Sequence, residues 1–161
     1  MTTELPSRTP DESHSTRLAR NFSELLQELR VQQAGVQILF AFLLTIVFTD
    51  VYAEQSSYVR TLHLITVLCA AMSSALLIAP AVWHRMLFRH RRREDILRQA
   101  TRCALAGSVF LAAAMVGTVL IVAEIAVGGW AAKVIGGGTA AVFGTVWFVV
   151  PLLLRRDDEL R

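Results

Sequence analysis

Four ionisable side chains sit where acid–base chemistry would be possible: Asp50, Arg60, His63 and Glu124. Each stands at the edge of a long apolar stretch, and antiparallel threading of those stretches would bring all four to one depth. Histidine and carboxylate side chains are common carriers of protons in proteins. Such a set suits cation or proton exchange. The simpler use is structural, with Glu124 reaching to the interface or pairing with Arg60. No acidic residue falls near the middle of any apolar stretch, where coupling-ion sites usually lie.

A second polar group lies toward the opposite end. Arg30, Gln33, Gln37 and Ala41 repeat at steps of three and four, so they share one helical face, with Thr45 near its edge. Gln33 and Gln37 are therefore expected to face neighbouring helices. There they either line a hydrated vestibule or make interhelical hydrogen bonds worth about 1 kcal/mol each.

The elements that must position these residues are four stretches free of Asp, Glu, Lys and Arg: 31–49, 61–83, 103–123 and 134–154. Each is about twenty residues long, enough for a helix to cross a hydrocarbon core of about 30 Å. Hydrophobic residues make up 54% of the 161, a share that points away from a soluble domain. The expected fold is an all-α, integral membrane four-helix bundle with spans of about 31–49, 61–83, 103–127 and 133–154. The first stretch follows a polar segment of about thirty residues with no small-residue cleavage site after it, unlike a signal peptide.

Basic residues orient the bundle. Arg85, Arg89, Arg91, Arg92, Arg93, Arg98 and Arg102 crowd the segment between the second and third stretches, and seven more arginines lie toward the termini. The opposite side has only Arg60 and Lys133. Loops rich in Lys and Arg stay cytoplasmic, so both ends are expected inside. Arg89, Arg91, Arg92 and Arg93 then suit anionic lipid headgroups, at about 1 kcal/mol per cation, rather than nucleic acid.

Residues 1–20 read as a disordered tail, and 155–161 as a charged cytoplasmic tail. Asn21 and Glu24 have the spacing of a capping box. Phe22, Leu25, Leu26 and Leu29 then form the apolar face of a juxtamembrane amphipathic helix, which either extends the first span or lies flat on the membrane. Pro80 should kink the second span, and Gly128-Gly129 marks a tight outer turn. Gly136, Ala140 and Gly144 form a small-residue stripe for close helix packing, within the bundle or between copies. Cys69 and Cys103 fall at different depths and should not pair. No metal-ligand spacing, phosphate-binding loop or activated nucleophile is recognisable, so neither catalysis nor a cofactor is expected.

Two segments, Glu28 to Leu44 (ELRVQQAGVQILFAFLL) and Ile78-Ala79-Pro80 with the following HRMLFR ending at Arg89, carry a resemblance. The chain resembles an uncharacterised family of small four-helix actinobacterial membrane proteins, sometimes labelled sodium/proton antiporter, over roughly residues 21–151. The resemblance implies a plasma-membrane protein of a high-GC Gram-positive bacterium. The matched motifs lie at the cytoplasmic ends of the first two helices, so Glu28, Arg30, Gln33 and Gln37 are expected to meet His84 and Arg85 in a structural lock or docking surface. Two functions follow: an accessory or scaffold protein that self-associates or joins a larger membrane complex, or an oligomeric cation/proton pathway built on the outer cluster.

Overall fold

The computed structural model describes residues 14–87 and 93–150, and every element there is helical. α1 runs from His14 to Ile46, α3 from Ser57 to Leu87 and α4 from Arg93 to Ala126. A single-turn helix α2, Asp50–Ala53, interrupts the connection between α1 and α3. α5 spans Gly129–Gly144 and continues directly into a π turn, Thr145–Val149.

Among the described residues, three stretches are long and apolar enough to cross a membrane: Ser23–Ile46, Ser57–Trp83 and Arg98–Ala126. α1 is one unbroken helix of 33 residues, so the amphipathic segment extends the first span. Its start differs from the expected one. Asn21 lies inside the helix rather than capping it, because nothing between His14 and Asn21 breaks a helix once Pro10 is passed. Glu24, expected to complete that cap, instead lies 3.7 Å from Arg20 as an i,i+4 ion pair.

α3 packs along α4, α4 along α5, and α1 lies against both α3 and α4. The buried positions of α1 are Leu29, Val36 and Leu43, spaced by seven residues. Leu29 and Val36 join Leu77, Ala104 and Leu111 in one core cluster. Leu43 joins Val59, Ala70, Ala114 and Ile121 in a second.

Close approach depends on small residues. A Cβ on Gly107 would lie 2.8 Å from Cδ2 of Leu77, and one on Gly117 would collide with the Thr66 side chain. These two glycines seat α4 on α3 along its length. Gly136 does the same for α5, where a Cβ would meet Leu120 Cδ1 at 2.8 Å. Much of the rest of the core is alanine, while Leu64, Ile65, Leu68 and Leu105 point outward. Small residues inside and large aliphatic ones outside suit an apolar solvent better than water.

The ends of α4 and α5 explain their turn. The Gly128 N–H returns to the Ala123 carbonyl at 3.1 Å, closing α4. Gly128 and Gly129 then adopt φ of 64° and 63°, a left-handed pair that side chains would strain.

Candidate functional site

The structure groups the polar side chains by what they hold together. At one end, the C-terminal turn of α1 leaves carbonyls without helical partners. His63 on α3 supplies one: its Nε2 lies 2.9 Å from the Leu43 carbonyl, which can only accept. Nε2 therefore carries the hydrogen, and Nδ1 is left to accept from the Tyr52 hydroxyl at 3.1 Å. Tyr52 comes from α2, whose N-cap Thr49 accepts the Tyr52 N–H at 3.3 Å. The rings of Tyr52 and His63 also meet edge to face, with centroids 5.0 Å apart. Only 5% of His63 is exposed, so this node ties α1, α2 and α3 together from inside.

The other residues read as one outer cluster make no side-chain bond to this node. Arg60 turns back to donate to the Ala53 carbonyl at 2.7 Å. Asp50 opens α2 and is exposed. Glu124 is half-buried on α4, one turn before Gly128. Among the described residues, no ion pair joins Asp50 or Glu124 to Arg60 or His63. Tyr52, placed by its sequence at the membrane interface, is instead the partner of a buried histidine. Only its position beside the Asp50 turn hinted at this.

The opposite end works through Gln33. Its Nε2 donates to the Leu77 carbonyl at 2.8 Å. Leu77 precedes Pro80 by three residues, within the turn where proline removes an N–H and crowds the backbone. The carbonyl that Pro80 itself leaves without a helical donor is that of Leu76, so the Gln33 bond ties α1 to α3 one residue beside the break. Ser73 similarly donates to the Gly107 carbonyl at 2.8 Å, and Ser108 reaches Gln32 Oε1 at 3.2 Å. Gln32 is thus the second inward glutamine, a role its sequence position had suggested for Gln37. The buried face of α1 runs through Leu29, Val36 and Leu43, and that turns Gln37 out.

Glu28 and Arg30 are exposed and make no hydrogen bond or ion pair with a described residue. The side chains of His84, Arg85 and Arg93 lie outside the described residues, as do Arg89, Arg91 and Arg92 altogether. Of the small-residue stripe, Gly136 is buried against Leu120, Ala140 is exposed, and Gly144 has open space where a Cβ would stand. Gly137 and Gly138 are equally open. Cys69 and Cys103 are both free thiols. Among the described residues, no set of three His, Cys, Asp or Glu side chains is placed to hold a metal.

Residues 11–151 match the model of a family of unknown function, DUF6328. The chain belongs to the DUF6328 family. No curated protein and no solved structure matches it. For this DUF6328 member, the matched region takes in all five helices together with the His63 and Gln33 nodes.

Proposed function

We propose that this DUF6328 protein is a four-span plasma-membrane protein of bacterial origin, with both termini cytoplasmic. In this reading it is a non-enzymatic accessory or scaffold protein that self-associates or joins a larger membrane complex. One observation carries it: buried and half-buried polar side chains bind the backbone of neighbouring helices. Gln33 takes the Leu77 carbonyl, His63 the Leu43 carbonyl and Ser73 the Gly107 carbonyl. Groups used this way fix a rigid set of helices, which is what a docking module needs.

A fourth span is supported by the run of α5 through the π turn to Val150. At about 1.5 Å per residue this covers about 30 Å. The orientation rests on the arginine distribution. Purification of the full chain in mild detergent, followed by mass determination, tests the role. A defined oligomer or a stable partner is expected; a strict monomer with nothing attached would refute it.

Glu124 favours a second reading, cation or proton exchange. It is half-buried, and no described residue bonds to it. Proteoliposomes should then show sodium- or potassium-dependent proton flux that drops in Glu124→Gln. Flux equal to wild type in that variant would end the assignment.

A further inference from the structure

α1 has a second face, distinct from the one that packs on α3 and α4. Arg30, Ala34, Gln37, Ala41 and Leu44 follow one another at steps of four and three, and all five are exposed. That alternation keeps one side of a helix in register with a partner helix in a left-handed pair. Ala34 and Ala41, on either side of Gln37, leave room for a second backbone to come close. Gln37 lies inside the apolar span Ser23–Ile46, exposed and without a hydrogen bond to any described residue. By contrast, Thr45, also exposed, returns its hydroxyl to the Ala41 carbonyl at 2.8 Å. A side-chain amide left against lipid is a costly group seeking a partner.

We infer that this face of α1 pairs with the same face of a second copy, and that the two Gln37 amides hydrogen-bond to each other. The inference rests on the proposed membrane-spanning, self-associating reading and names its contact. A carboxamide carries both an acceptor oxygen and N–H donors, so two related by a two-fold axis satisfy each other. Copies inserted in the same orientation place Gln37 at identical depth. An unrelated helix would need a matching polar group at that level, whereas a second copy has one by construction. The two Arg30 side chains fall in the same seam at its polar end, where long cationic side chains can splay toward water and headgroups.

The test uses full-length protein in lipid vesicles, with Cys69 and Cys103 replaced by alanine and single cysteines introduced along α1. Oxidation should yield disulfide-linked dimers for Ala34→Cys and Ala41→Cys. It should yield few for Val31→Cys and Ile38→Cys, which are also exposed, at 73% and 74%, but lie off the seam. Separately, Gln37→Leu should weaken dimerisation about tenfold, as expected for losing the two weak interhelical hydrogen bonds of a reciprocal amide pair. Cross-linking that is uniform over all exposed positions would overturn the seam. Unchanged dimerisation in Gln37→Leu would overturn the amide pair. Dimers that cross-link only through Gly138→Cys on α5 would overturn the α1 contact while leaving the self-associating role in place. A monomer throughout, with no partner, would remove both.

Discussion

The Tyr52 hydroxyl stands 3.1 Å from Nδ1 of His63, whose opposite nitrogen holds the Leu43 carbonyl at 2.9 Å. One ring thus joins the end of α1 to the short helix that follows it. Removing Tyr52 Oη in Tyr52→Phe leaves the ring contact and should cost about 0.5–1.5 kcal/mol, the net value of one hydrogen bond. His63→Ala removes both bonds, orphans the Leu43 carbonyl and opens a void, and should cost about 2–4 kcal/mol. Denaturant titration of the detergent-solubilised protein measures both. Equal losses in the two variants would mean that the Leu43 bond contributes nothing.

Gln33 and Pro80 should prove coupled. If the Gln33 amide steadies the distorted turn beside Pro80, Gln33→Leu costs about 1 kcal/mol with proline present and less in a Pro80→Ala background. A double-mutant cycle on the same unfolding assay isolates the difference. Strictly additive losses would place the value of Gln33 somewhere other than the helix break.

Glycines on the inner and outer faces should respond in opposite ways. Gly117→Ala drives a methyl group into Thr66 and should cost about 1–3 kcal/mol, the usual range for overpacking. Thr66→Ala in the same chain should recover part of the loss, because the colliding hydroxyl and methyl are gone. Gly138→Ala has open space around it and should be within about 0.5 kcal/mol of wild type, read on the same scale.

Membrane orientation is open to direct labelling. Single cysteines in Ser57→Cys and Trp130→Cys should react with an impermeant maleimide added outside intact cells. A cysteine at Arg20 should react only after the cells are opened. Outside labelling at Arg20 would reverse the topology drawn from the arginines.

What could be read from the residues alone follows their physics. Helix positions came from the lengths of charge-free stretches, and the α4–α5 turn from two glycines, because both are local properties. Which side of α1 faces inward was not local. The step of three and four through Arg30, Gln33 and Gln37 is a true helical face, but the packing surface is rotated from it, along Leu29, Val36 and Leu43. An apolar residue in such a helix suits lipid and core equally, so hydrophobicity could not choose between them. Gln33, at the border, reached the bundle; Gln37 did not. The same limit applies to Tyr52, whose amphipathic ring suits an interface as well as a partner such as His63.

The wide turn at Thr145–Val149 contains one residue more than an α-helix would use for the same path. Its Trp147 packs against the cluster around Leu29 and Leu77, edge to face with Phe143 at 5.3 Å between centroids. Deleting a single residue here would restore ordinary winding with the path of the helix kept, whereas the same deletion in the regular turns of α5 would rotate the rest by about 100°. Only side chains within the bulge, Trp147 among them, would change direction. Chain length over these five positions is therefore less tightly constrained than in the regular turns of α5, and a one-residue gap should be tolerated better there, at the cost of the indole's seat.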